Sequence, residues 1–235
     1  MNLLLFTSAD RVGAGHIALR DQRLHHLLHV LHSEVGDTLR VGELGGAMGS
    51  AVVVAISPLR ALLQVGLDQA PPPKLPLDLV LALPRPKMLR RMLRTVAELG
   101  VPRLHLINSY RVEKSYWGSP LLQPQALQHC MRQGLEQARD TVLPQVRCHR
   151  LFKPFVEDEF PALAGGRRAL LAHPGDHPAC PRGAGGATVL VIGPEGGFIP
   201  YEVDKLAAAG CTAVSLGPRI LRVETALTNI LGRLF

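Results

Sequence analysis

The stretch Val189–Phe198, VLVIGPEGGF, decides how the chain is read. Apolar, mostly β-branched residues run without a polar break into Gly193-Pro194-Glu195-Gly196-Gly197. A short apolar run that ends in glycines describes a strand buried on both faces, and such strands belong to parallel sheets covered by helices. Around this strand, Thr188 to Ile192, the same grammar repeats. Leu77 to Leu83 reads as one continuous apolar run, and Arg103 to Asn108, Ala169 to His173 and Thr212 to Leu216 read as further strands. Helical segments alternate with them: one rich in Arg after Arg85, one around Leu121 to Arg139, one from Pro200 to Ala209 closed by Gly210, and a last from about Val223. Strand and helix in alternation predict an α/β domain.

Three consecutive prolines in APPPKLP (Ala70–Pro76) remove backbone donors and stiffen the chain, which marks a boundary. Before it, Thr38 to Val41, Ala51 to Ile56 and Ala61 to Leu67 read as short strands, with turn signals at Gly45-Gly46 and Gly49. The expected division is a small β-rich domain over residues 1–70, a linker over 71–76 and the α/β domain over 77–235.

Composition sets bounds on function. A chain of 235 residues with 47% hydrophobic content buries a substantial core. No apolar run nears the roughly 18 residues of a membrane span, and MNLLLF lacks the basic flank of a secretory signal, so a cytoplasmic location is expected. Cys130, Cys148, Cys180 and Cys211 are widely spaced, which points away from a disulfide framework or structural zinc. A formal net charge of +7 suits a phosphate-bearing partner. The charge is also patterned. Met88, Leu89, Met92, Leu93 and Val96 form one face of a helix, and Lys87, Arg90, Arg91 and Arg94 the other, with Gly100 and Pro102 ending it. That stripe is either a solvated face or a surface aimed at a nucleic-acid backbone.

In open α/β sheets ligands gather outside the carboxyl ends of the strands. Two loops stand there: Gly193–Gly197, and Leu216–Arg222 with sequence LGPRILR. Neither has the spacing of a dinucleotide fingerprint or a Walker loop. Pro194 removes a donor and Glu195 repels anions, so a phosphate ligand is disfavoured. A neutral or cationic small molecule held by main-chain groups fits better, and S-adenosylmethionine is one. The loop taken alone equally allows a plain turn in which Glu195 serves the following helix.

IGPEGGF (Ile192–Phe198) paired with LGPRILRVETA (Leu216–Ala226) resembles the two cofactor loops of SPOUT methyltransferases, in particular the bacterial 16S ribosomal RNA uracil-N3 methyltransferase family. Weaker pieces follow in the family's order: His25-His26-Leu27-Leu28 with Val35-Gly36-Asp37, Lys87 with Ala97-Glu98-Leu99-Gly100-Val101, and Glu136-Gln137. The resemblance implies a PUA-like β-barrel that helps bind RNA, a C-terminal α/β domain with a trefoil knot, and a homodimer. It also implies S-adenosyl-L-methionine as cofactor and methyl transfer to N3 of one uridine of 16S ribosomal RNA in the small ribosomal subunit, with no metal and no membrane.

On that resemblance His173, Ile192, Gly193, Pro194, Glu195, Gly196, Gly197, Leu216, Gly217, Ile220 and Leu221 are the expected cofactor residues, with Pro174 beside them. Arg219, Arg222 and Glu224 are the expected catalytic ones, Glu224 being either a base or an early-turn residue favoured by the helix dipole. RNA contacts are expected from Arg23, His25, His26, Lys87, Arg90, Arg91, Arg94, Arg111 and Lys114. Tyr116 and Trp117 offer either a stacking platform or core packing. His25, His29 and His32 are spaced to share a helix face, without the Cys or acidic residues that would complete a metal site. The chain departs from the family at His29 and His32, where arginines are common, and at Ala138-Arg139-Asp140, where glycine-arginine is usual. Rival readings are a methyltransferase for a different ribosomal nucleotide, a non-catalytic RNA-binding assembly protein, and a nucleotide-dependent α/β enzyme.

Overall fold

Short apolar runs separated by Gly and Asp turns build the first of two sheets. The computed structural model describes residues 2–183 and 185–235. The chain divides into two units, Met1–Pro73 with Arg132–Leu143, and Lys74–Met131 with Pro144–Phe235.

In the first unit the strands are β1 (Leu4–Phe6), β2 (His16–Leu19), β3 (Thr38–Glu43), β4 (Met48–Ser57) and β5 (Arg60–Gln69), with helix α1 (Gln22–His29) after β2. Their spatial order is β1-β3-β4-β5-β2, with β1 parallel to β3 and the other pairs antiparallel. Alternation along β4 sends Ala51 and Val53 inward and Val52 and Val54 outward, and two register shifts against β5 bend the strand. The sheet curls over Phe6, Ile17, Leu19, Leu27, Val41 and Leu63. Its edge strands β1 and β2 do not pair with each other among the described residues, so a curled sheet stands where a barrel was expected. The segment Arg132–Leu143, which the sequence-based division left in residues 77–235, belongs to this unit. Thr141 explains why: its hydroxyl donates to the Gly46 carbonyl at 2.6 Å and its carbonyl accepts from Gly45 N–H at 2.8 Å.

Two local expectations need correction. Helix α1 ends at His29, and His32 has φ +49, so the three histidines do not share one helix face. Arg23 is not free for RNA: its guanidinium bonds Asp10 at 2.6 Å, Asp21 at 2.7 Å and the Leu5 carbonyl at 2.9 Å. These acceptors fasten α1 to the chain before it.

The second unit holds β6 (Leu77–Ala82), α2 (Pro86–Glu98), β7 (Arg103–Ile107), the first part of α3 (Pro124–Ala138), and β8 (Gln145–His149). A broken helical stretch follows, α4 (Phe152–Pro154) and α5 (Phe160–Ala164) flanking a π-helical turn. Then come β9 (Arg168–Ala172), β10 (Thr188–Ile192), α6 (Pro200–Ala208), β11 (Thr212–Val214) and α7 (Val223–Leu234). The order is β11-β9-β10-β6-β7-β8, and every pair is parallel. All of β6 and β10 is buried, as their near-continuous apolar sequences require.

The run through β6 is not wholly apolar. Asp78 sits in it with its side chain fully buried, opposite Arg103 on β7. Arg103 and Arg167 both bond its carboxylate, and Arg167 also reaches the Thr188 carbonyl at 2.9 Å. Burial pushes this carboxyl up, but the bonds from its partners outweigh that and hold it well below the usual carboxylate range. The cluster lies at the amino ends of β6 and β10, away from the loops where ligands collect.

Candidate functional site

At the opposite, carboxyl end of the sheet a cavity of about 380 Å³ opens. Its walls come from three loops: Ala172–Pro174 after β9, Ile192–Gly197 after β10, and Val214–Val223 after β11. Arg85 and Met88 at the start of α2 and Ala226 of α7 complete it. The strands β6 and β10 are adjacent here, and the strands that follow them, β7 and β11, lie toward opposite edges of the sheet, which is the switch point where such folds bind ligands. The size suits a small-molecule site.

Two glycines in the β10 loop have steric reasons. A Cβ on Gly193 would sit 3.0 Å from the Phe198 ring and 3.3 Å from the Phe198 nitrogen, so the loop turns tightly back on itself. Gly197 has φ +72, a left-handed conformation open to glycine, and its N–H bonds the Pro194 carbonyl at 2.8 Å. Beyond it Phe198 is buried and α6 begins. Glu202, in the first turn of α6, is 3% exposed and accepts from Ile199 N–H at 3.0 Å and from Tyr110 N–H at 2.7 Å. This is half of a capping box, with its second oxygen tying in the loop after β7. Arg111 from that loop donates to the Gly196 carbonyl. The Gly-Gly loop is thereby held on its outer side by a neighbouring loop.

The charges around the cavity are unequal. Arg85, Arg219 and Arg222 line it, with Glu195 as the acid. Glu195 Oε1 lies 3.2 Å from Arg85 Nε, both side chains being about half exposed (52% and 53%). His173 is half-buried, with its ring centroid 5.6 Å from that of His177. Burial first, and the neighbouring histidine second, lower its pKa, so it stands neutral at pH 7.

Of the expected cofactor residues, His173, Ile192, Gly193, Pro194, Glu195, Gly197, Leu216, Gly217, Ile220 and Leu221 all line the cavity; Gly196 faces Arg111 instead. Arg219 and Arg222 line it as well. Glu224 does not; its Oε1 is 3.4 Å from Arg91 Nη1, and its Oε2 is buried without a hydrogen-bond partner. Lys87, Arg90 and Arg91 are exposed along α2 and Arg94 is half-buried; Lys114 is exposed on the loop after β7. In the first unit His25 is exposed and His26 half-buried. Trp117 is not an open stacking surface: it is 8% exposed, donates to Asn108 Oδ1 at 3.0 Å and is covered by Arg150. Sequence reading missed Arg85 and Glu202. Glu202 carries a signal, an acid three residues after the loop end and two after a proline, which is the pattern of a helix start. Among the described residues no group of three or more His, Cys, Asp or Glu side chains is placed to hold a metal, and no helix is long and apolar enough to cross a membrane.

A family model described as an RNA methyltransferase domain matches residues 71–234. The ribosomal RNA small subunit methyltransferase E of Treponema pallidum is 31% identical over 232 residues, covering 96% of this chain and 87% of that protein. The chain belongs to the ribosomal RNA small subunit methyltransferase E family. The Synechocystis member is 27% identical over 242 residues, covering 98% of this chain and 76% of its own. The family fold is matched as well. A crystal structure of the methyltransferase E of Neisseria gonorrhoeae bound to S-adenosyl methionine superposes with a TM-score of 0.74 at 23% identity, over 98% of this chain and 96% of that one.

Proposed function

We propose that this chain is an S-adenosylmethionine-dependent methyltransferase of small-subunit ribosomal RNA, and that its target atom is N3 of a single uridine of the 16S RNA. The observation that carries the reading is the cavity at the carboxyl ends of β9, β10 and β11, in a chain of this family. It combines main-chain walls suited to a flat cofactor with guanidinium groups suited to RNA.

S-adenosylmethionine, when bound, supplies an electrophilic methyl group. Main-chain groups of Gly193, Gly197, Leu216, Gly217 and Leu221 hold it, with Ile192, Pro194, Ile220, Met88 and Val223 as apolar cover. A neutral His173 adds a polar edge without repelling a cationic ligand. Glu195 supplies negative charge on the same wall. The fit of the donor set is therefore to a cation with aromatic and polar edges.

N3 of uracil carries a proton at neutral pH and is buried in a base pair, so the target base has to be unpaired. Arg219 and Arg222 offset the negative charge that builds on the uracil carbonyls as that proton leaves. Glu224, beside them in the first turn of α7, either takes the proton or complements the α7 dipole. In-line transfer also needs orientation, which two strand-end loops on a rigid sheet supply. Lys87, Arg90, Arg91, Arg94 and Lys114 hold the RNA backbone, with His25 and His26 contributing from the first unit. Arg111 gives one Nη1 donor to the Gly196 carbonyl and offers its remaining donors to the RNA on the same reading.

The same reading carries a PUA-like role for residues 1–70, a linker over 71–76, a trefoil knot in 77–235, a homodimer and a cytoplasmic site of action. The test is mass mapping of 16S RNA from cells lacking this protein. A 16S RNA missing one N3-methyluridine is expected, and a fully modified RNA refutes the assignment.

A further inference from the structure

Arg85 is an unusual residue for its place. It is the N-cap of α2, yet its side chain makes no capping bond, and a cation at a helix amino end opposes the dipole. Ser, Thr, Asp or Asn would serve the helix better. A locally unfavourable choice at a strand-to-helix junction is the kind of exception that functional sites show. The junction here is the carboxyl end of β6, next to β10 in the sheet, and Arg85 lines the same cavity as Arg219 and Arg222.

Its contact with Glu195 is of an exchangeable kind. The contact recorded between them, Arg85 Nε to Glu195 Oε1, is 3.2 Å long, and both side chains are about half exposed. Such a pair contributes little to stability. Two arginines described above, Arg23 and Arg167, are built in differently: Arg23 bonds Asp10, Asp21 and Leu5, and Arg167 bonds Asp78, Leu163 and Thr188. Nor does the Glu195 loop need Arg85 to hold its shape. The bond from Arg111 to Gly196, the Gly197-to-Pro194 turn, buried Phe198 and the Glu202 cap already fix it.

Building on the methyltransferase reading, we infer that Arg85 is a substrate-positioning residue, kept by Glu195 until an anionic oxygen of the RNA displaces the carboxylate. That oxygen belongs either to a phosphate flanking the target nucleotide or to a carbonyl of the uracil as it loses its N3 proton. A guanidinium suits both: it binds the two oxygens of a phosphate through parallel N–H groups, and it donates a charge-assisted bond to a single carbonyl oxygen that gains negative charge. Glu195 is then a placeholder: it prevents an unpartnered cation from facing the cofactor cavity before RNA arrives.

The test uses the full chain, unmodified small-subunit RNA and three variants, Arg85→Ala, Arg85→Lys and Glu195→Gln. Wild-type binding of S-adenosylmethionine and methylation of the RNA are measured first; their absence defeats the methyltransferase reading itself. With both present, Arg85→Ala is expected to keep cofactor affinity and melting temperature while kcat/KM for RNA falls about 10- to 100-fold, the worth of one charge-assisted hydrogen bond. Arg85→Lys recovers part of the loss. A phosphate partner appears as a rise in KM and a salt slope smaller by about 1, and a uracil partner as a fall in kcat with the salt slope unchanged. Without cofactor, Glu195→Gln is expected to bind RNA more tightly than wild type. The inference is overturned if Arg85→Ala leaves RNA kinetics within about twofold, if it weakens cofactor binding and stability together, or if Glu195→Gln binds RNA as weakly as Arg85→Ala.

Discussion

Replacing Glu202 by Gln changes almost no volume and removes one negative charge, so it isolates the electrostatic work of this side chain. Both oxygens accept from main-chain N–H groups, Ile199 on one side and Tyr110 on the other, in a site that is 3% exposed. A glutamine has one oxygen and one NH₂, so whichever way it turns, a donor faces a donor. One bond to a charged acceptor is lost outright, at about 1.5–3 kcal/mol, and the other becomes a neutral bond worth about half as much. A favourable charge at the α6 amino end, about 0.3–1 kcal/mol, also goes. Relief from burying a charge offsets part of this, leaving a net loss of about 2–3 kcal/mol. For a protein of 235 residues that lowers the melting temperature by roughly 5–10 °C. The same bonds anchor the chain just beyond Gly197, so S-adenosylmethionine affinity measured by calorimetry is expected to fall as well. Circular-dichroism melts at pH 7 give the first number. A variant that melts within about 1 °C of wild type and binds the cofactor equally well would refute the view that Glu202 holds the Gly-Gly loop.

Two further perturbations probe the sheet from either end. Asp78→Asn leaves Arg167 without its buried partner and is expected to cost about 3 kcal/mol by urea unfolding at pH 7. Because the folded-state pKa of Asp78 is depressed, its contribution is complete above the unfolded value of about 3.9 and falls away as pH drops below it, so the gap between wild type and variant should narrow in acid; a gap constant down to about pH 2 would contradict this. Gly193→Ala puts a methyl group 3.0 Å from the Phe198 ring and 3.3 Å from a backbone nitrogen that cannot yield easily, so cofactor affinity should fall about tenfold or more, and an unchanged dissociation constant would show the turn to be looser than drawn.

The central strands were legible because their chemistry is extreme. In β10 every residue is buried and nearly every one is apolar, which only a covered parallel sheet accommodates. The amphipathic α2 and two of the three loops that form the cavity, those after β10 and β11, were legible for the same reason, since spacing and glycine content carried them. The edge strand β8, QVRCH, was not: three of its five residues are exposed, and its alternation is polar enough to pass for a loop. Strands β1 and β2 were missed because three or four residues give too short a pattern to separate from noise. Asp78 was overlooked inside β6, since its compensation comes from Arg103 and Arg167, residues distant in sequence whose approach the sheet register alone creates. Arg85 was missed for the opposite reason: it looked like one more cation in a basic helix, and only its proximity to Glu195 sets it apart.

The cavity described above draws its walls from Arg85 at one extreme of sequence and Ala226 at the other. A site assembled from such distant pieces forms late, because long loops must close before its contacts are rewarded. During synthesis, β6, β7 and β8 emerge and can pair while the last wall is still inside the ribosome. A nascent chain is therefore blind to the cofactor until the loop after β11 is out, and only then can binding add its mass-action stabilisation to the finished fold. On the proposed reading, a protein that modifies ribosomes gains the ability to do so only as it is leaving one.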